Sequence, residues 1–363
     1  MPEIWLNYGS TDIVLDIKAE NLEQKIDSDG KILDDAVICE KLSTIDLTKP
    51  IELVVLHNSL AVQKIISALF ALCEQKSVPF PKILADKKII NLVKTGLPEG
   101  STINEFDNTN LSSPSNLFFI SEMEFDGLFG YETISTRLVK KFGHDNMLSA
   151  YAKRKENLPA PGQFTESLDE AKRFTNNFEI QGIEIVANSK GIVDFSVDHP
   201  SKTISLTKTL ESFAIKDVGQ QQKSMMISTG KNASNDVLGR SLSSLWNCIN
   251  AIKRDDGLVI LIAECKLGLG SESLQQYVDG RLTIDKLRNP TKYINGMENL
   301  LFLSEVQKNF QIGLVSILPE FYIKKLNMIS LSGIKDSLDY ILKTHGAKQK
   351  ITVVSDGARV LLR

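Results

Sequence analysis

Cysteine and histidine are both scarce in this chain, with four of each among 363 residues. Cys39, Cys73, Cys248 and Cys265 include no close pair, which argues against a disulfide framework and against a zinc knuckle. Free thiols, mostly buried, are expected instead. His57, His144, His199 and His345 include no pair at i, i+3 or i+4, so a metal cluster would have to be assembled from distant segments. Surface or capping roles suit them. His57 is the exception, standing at a strand's carboxyl end beside Asn58 and Ser59. Charge of one sign is lacking as well: 42 Lys and Arg against 45 Asp and Glu leave −3, so no global field draws the protein to nucleic acid or anionic membrane. Nothing approaches eighteen uninterrupted apolar residues, and the start MPEIWLNYGSTD has neither the basic beginning nor the apolar run of a signal peptide. A cytoplasmic protein with no membrane partner is the expectation. There is no internal repeat and no low-complexity tract.

What is present is ordinary globular material, 42% hydrophobic and 24% charged, over a length that suggests two or three domains. IWLNYGSTDIVLDI has turn residues in the middle and then Ile13, Leu15 and Ile17 on one face, the period of a half-buried strand. IELVVLH (51–57) reads as a continuous apolar strand, followed by a helical stripe at Val62, Ile65, Ile66, Leu69, Leu72 and Cys73. SNLFFIS (115–121) is another buried strand, then ETISTRLVKKFG and DNMLSAYAKRKEN read as helices that NLPAPGQ ends. GIEIVANSKGIVDFSVD (182–198) is a hairpin turning at Asn-Ser-Lys-Gly. A helix from about Lys202 to Ala214 follows it. KDVGQQQKS (216–224) reads as an interdomain linker.

Beyond it, strands SMMIST, LVILIA, IGLVSIL, MISL and KITVV alternate with helices at 236–253, from Glu272, at 291–308 and at 334–344. That alternation predicts a mainly parallel sheet covered on both faces. The helix from Asp236 carries a seam at Leu238, Leu242, Leu245, Ile249 and Ile252, and Trp246 beside it is expected in the core.

In such sheets ligands collect beyond the carboxyl ends of strands. LVILIAECKLGLGSESLQQY (258–277) puts Glu264, Cys265, Gly268 and Gly270 at one such end. Either Glu264 and the glycines contact a ligand, or Glu264 pairs locally, Cys265 packs and the glycines shape a tight turn. GLG is not GxGxxG, and GxxxxGK[ST] is absent, so the nucleotide signal is weak. Arg137, Lys140, Lys141, Lys153, Arg154 and Lys155 make residues 137–155 strongly basic: a solvated face, or a seat for phosphate, carboxylate or nucleic-acid backbone. Tyr131 and Arg137 together could grip an anion.

AECKLGLG after a buried strand, NYGSTDIVLDI near the start, NSKGIVDFSVDHP at mid-chain and THGAKQKITVVSDGARVLL at the end resemble, in order and spacing, the nickel-dependent lactate racemase (LarA-like) family. The resemblance implies two α/β domains, 1–219 and 223–345, with 346–363 returning to the first as a closing strand, and an active site in the cleft between them. It implies a nickel pincer nucleotide cofactor held through a lysine, with histidines moving the hydroxyl proton of a 2-hydroxy acid. Several of the family's positions differ here. LHNSLAV, with His57 and Asn58, stands where the family has an arginine, and DKKIINL stands where it has a catalytic histidine. EFDGLFGYETISTRLVK keeps Gly130 and Tyr131 but not the neighbouring histidine, with Lys140 or Arg137 near the lysine's place. NDVLGRSLSSLW offers only Arg240 for the second domain's tyrosine and lysine. The candidates are therefore His57 and Lys140 for catalysis, and Asn58, Tyr131, Arg137, Arg240, Glu264, Gly268 and Gly270 for substrate; none is assigned to metal. The expected function is binding and isomerising a small 2-hydroxy acid or related anion. The alternative is a non-catalytic protein that binds a ligand, or nucleic acid through residues 137–155.

Overall fold

Ile4, Leu6 and Leu15 alternate with polar residues along β1 (Glu3–Tyr8) and β2 (Thr11–Asp16), an antiparallel hairpin turning at Gly9. Its apolar face, continued by Ile17, packs onto Met226, Leu258, Ile260 and Ile262. That contact turns Trp5, Asn7 and Asp12 outward, because side chains on a strand alternate between faces. The structure, a computed structural model, describes residues 3–98, 101–106, 116–202, 204–231 and 236–363. Met1, Pro2, Ser115 and Thr203, which fall within or beside expected elements, lie outside them.

After β3 (Leu22–Ile26) come β4 (Ile51–Val55), β5 (Lys82–Ala85), β6 (Ile103–Glu105), β7 (Asn116–Glu122), the small pair β8 (Glu124–Asp126) and β9 (Gly130–Glu132), then β10 (Gln181–Asn188) and β11 (Gly191–Asp198). The first six-stranded sheet runs β11-β10-β7-β4-β5-β6, parallel except for β11 at its edge. Each parallel crossing needs a long return, and the helix Leu60–Gln75 supplies the one between β4 and β5. Ser59 starts that helix by accepting the Val62 amide at 3.2 Å.

The second sheet follows β12 (Ile215–Lys216) and comprises β13 (Ser224–Ser228), β14 (Gly257–Ile262), β15 (Phe310–Val315), β16 (Ile329–Leu331) and β17 (Ile351–Val354), before the chain ends in β18 (Leu361–Leu362). Its order is β16-β15-β14-β13-β17-β3, parallel throughout. The closing segment 346–363, expected to return to the first domain, pairs through β17 with β3 of residues 22–26, inside the second six-stranded sheet. All four residues of β17 are buried, which suits an interior strand, and it lies between β13 and the early strand β3. β18 pairs with β12. The expected linker is also tied down, for Gln222 is buried and its side-chain oxygen accepts from the Thr352 hydroxyl at 2.9 Å.

The helix expected over 236–253 spans Leu238–Cys248 and continues as a 3-10 turn, with Trp246 fully buried against Phe302. One expected over 291–308 is shorter, Met297–Val306. Among the described residues no helix is long and apolar enough to cross a membrane.

Candidate functional site

Strand ends from both sheets meet at one cavity of about 440 Å³. The second sheet contributes Lys25 and Asp27 from the end of β3, Lys231 beyond β13, and Ser355, Asp356 and Arg359 beyond β17. The first contributes Leu60 and Lys64 beyond β4 and the turn Asn188–Gly191 after β10, while Trp5, Asn7 and Asp12 of the hairpin form a further wall. Five cations thus face three carboxyls, and the lining favours an anion. Among the described residues, the ion pairs of Lys25, Lys64 and Lys231 are with partly or largely exposed aspartates (Asp27, Asp35, Asp12) at 2.7–3.3 Å. Pairs of that kind hold by about 0–1 kcal/mol and are easily exchanged for another anion. Lys190 has no ion-pair partner within 4.0 Å among the described residues.

Beneath the cavity lies a buried charge network. Arg359 donates through Nε and Nη2 to Glu122 Oε1 at 3.0 and 2.7 Å, and through Nη1 to Asp356 Oδ2 at 3.4 Å. Thr133 and Thr136 cap the helix Ile134–Phe142 reciprocally and so fix its start. One turn further on, Arg137 bridges Glu132 at 2.8 Å and Glu124 at 3.1 Å, while Lys140 bridges Asp126 at 2.7 Å and Glu132 at 3.0 Å. From the helix Leu238–Cys248, Arg240 reaches the same Glu124 and Glu132 at 3.7 and 3.6 Å, which links the two halves.

Six carboxyls (Glu122, Glu124, Asp126, Glu132, Glu184 and Asp356) therefore share four cations. Such an excess cannot stay fully ionised where water is excluded. Burial pushes the Glu184 carboxyl up to about 8 and the Asp356 carboxyl up to about 6. It raises Glu124 also, whereas in Glu132 it is overcome by Arg137, Lys140 and Arg240, which hold that group well below the usual range. Several buried atoms of the network have no hydrogen-bond partner among the described residues: Glu122 Oε2, Glu124 Oε1, Glu184 Oε1, Asp356 Oδ1 and Arg137 Nε. Both ring nitrogens of His57 are in the same position. Burial, followed by Arg137 and Arg240, holds that imidazole well below its ordinary value, so it is neutral.

The sequence candidates are placed unequally. His57, Arg137, Lys140 and Arg240 do gather in the network, with Lys140 fully charged: burial alone would lower its ammonium, but Asp126 and Glu132 hold it above the ordinary value. An ammonium so held is a poor covalent attachment point. The expected grip of Tyr131 and Arg137 on an anion does not form either. The Tyr131 hydroxyl is donated to Glu211 and its ring packs against Phe125 and Phe164, while Arg137 is committed to carboxylates. Asn58 accepts from Gln63 at 3.0 Å beside a smaller cavity of about 200 Å³.

Glu264 lies against the hairpin turn, so close that a Cβ on Gly9 would sit 1.8 Å from its Oε2. It braces β1–β2 and does not line the larger cavity. Gly268 and Gly270 adopt φ of +89° and +67°, and Cys265, its thiol pushed up to about 11 by burial, packs 3.7 Å from the Ser241 hydroxyl. The packing reading of that loop describes these three. Within residues 137–155, Lys141 pairs with Asp86, Lys153 with Glu170, and Arg154 donates to the Tyr151 and Arg288 carbonyls, while Lys155 is exposed.

Missed by sequence reasoning were Trp5, Lys190, Lys231, Asp356 and Arg359. The strand-end rule applied to Glu264 points equally to Asp356 and Arg359, since VVSDGAR carries both just beyond a buried strand.

No protein-family model matches the chain, and no curated protein matches it in sequence. Among solved structures, the lactate racemase apoprotein from Thermoanaerobacterium thermosaccharolyticum aligns with a TM-score of 0.76 at 14% identity, covering all of both chains. A structural-genomics protein from Thermotoga maritima aligns at 0.66 and 11% identity, covering 93% of this chain and all of its own. The chain has the lactate racemase fold.

The nickel pincer cofactor implied by the resemblance does not fit the residues present. Lys140, the candidate for its attachment, is locked between Asp126 and Glu132.

Proposed function

We propose that this protein binds a small organic anion in the cleft between its two sheets and does not racemise it through a lysine-held nickel cofactor. The observation that carries the reading is the lining itself: five cations against three carboxyls where strand carboxyl ends of both sheets converge. Asp356 adds an acceptor at the floor, buried and with one oxygen unpartnered among the described residues. Calorimetric titration with lactate and phosphate, repeated with Lys190→Glu and Lys231→Glu, tests it. Saturable binding that the reversals weaken supports the proposal, and heats indistinguishable from dilution at low salt would sink it.

A second reading, isomerisation of a 2-hydroxy acid, rests on His57, a buried imidazole whose two nitrogens have no hydrogen-bond partner among the described residues and which lies outside the lining of the cavity. Chiral separation of lactate after incubation with the protein decides it. Enantiomer exchange that disappears in His57→Gln supports this reading, and unchanged enantiomers remove it.

A further inference from the structure

The two walls of the cleft each present a large apolar side chain where none is needed for folding. Trp5 is 59% exposed on the hairpin wall and Leu60 is 72% exposed at the start of the helix Leu60–Gln75, and both line the same cavity as the cations. Neither exposure is forced by local structure. Trp5 lies on the outward face of β1, where a polar residue would serve, and Leu60 opens a helix whose core stripe lies on other residues. The cavity, at about 440 Å³, also falls within the usual range for drug-sized ligands and is far larger than a three-carbon acid requires. An indole face beside several lysines recognises flat rings by stacking, and the ammonium groups recognise the charge the ring carries.

We infer that the cleft takes an organic anion built on a flat ring, an aryl carboxylate or aryl phosphate, with the ring between Trp5 and Leu60 and the anionic group among Lys64, Lys190 and Lys231. This rests on the anion-binding reading above. The molecule supplies its own reporter, since the other of its two tryptophans, Trp246, is buried in the core.

The experiment titrates the full chain with phenyl phosphate and benzoate, and with inorganic phosphate and lactate as ringless counterparts, following tryptophan emission and, in parallel, heat. The ring compounds are expected to quench emission saturably and to bind at least tenfold more tightly than their counterparts. Trp5→Ala should weaken phenyl phosphate at least tenfold by calorimetry and leave inorganic phosphate unchanged, and Trp5→Phe should recover most of the loss. Because Trp5 is largely exposed, neither change threatens folding. Ringless anions that bind as tightly as the ring compounds, or a Trp5→Ala protein that binds phenyl phosphate normally, would overturn the ring inference and leave the anion cleft standing. Failure of all four probes to bind overturns both.

Discussion

Glu184→Gln should stabilise this protein, and by an amount that grows with pH. Glu184 is 1% exposed on β10; its Oε2 accepts the Ile134 amide at 2.8 Å, and its Oε1 has no partner among the described residues. Burial lifts its pKa from 4.5 to about 8. For an acid raised in the folded state the unfolded chain releases its proton first, so folding takes up a proton between those two values. Stability from this group is therefore fully present below pH 4.5 and declines toward pH 8. At ~1.4 kcal/mol per pH unit the loss is about 3 kcal/mol at pH 7 and about 5 kcal/mol once the folded group ionises. Glutamine is neutral, keeps an oxygen for the Ile134 amide, and has no such dependence. The variant should match the parent near pH 4.5 and exceed it by about 3 kcal/mol at pH 7, which for a chain of this size is a rise of very roughly 5 °C in melting temperature. Calorimetric scans at half-unit steps from pH 5 to 9 measure the difference. A gap of fixed size would reflect only how the amide packs, and a slope near zero would refute the buried-proton argument.

Other perturbations have equally definite outcomes. Arg359→Ala leaves Glu122 buried without its cation and should cost about 3–5 kcal/mol in chemical denaturation, with most of it regained when Glu122→Gln is added. Gly130→Ala places a methyl group 1.7 Å from the Gln163 carbonyl oxygen at φ +82°, and a loss of about 2–3 kcal/mol is expected; a neutral result would contradict the described turn. His57→Leu exchanges an imidazole with two unpartnered nitrogens for an apolar side chain of similar size, so stability should hold or rise. A loss above about 1 kcal/mol would reveal a partner for the ring.

Local patterns foretold the elements well because each buried strand here is a short, continuous apolar run. IELVV, SMMIS, GLVILI and ITVV all read as interior strands and are buried along nearly their whole lengths. Which sheet ITVV joins was not legible, since the partners of Thr352, Met225 and Gln24, stand 127 and 328 residues away and leave no local mark. The same limit governed the site. Arg137 and Lys140 were visible as charges, but the acids that neutralise them come from β8 and β9, only a few residues upstream yet joined to them only once the chain turns back. Trp5 was invisible as a cleft residue because alternation shows that one face of β1 is polar and not what that face looks onto.

The second sheet sets an early strand of this sequence, β3, beside a late one, β17. While synthesis proceeds, β3 must wait without its strand partner for more than three hundred residues. The earlier sheet can close meanwhile, since all its strands lie between residues 51 and 198. The cleft floor, built from Asp356 and Arg359, is then the final part to form, so a nascent or prematurely terminated chain has one finished sheet and no binding site.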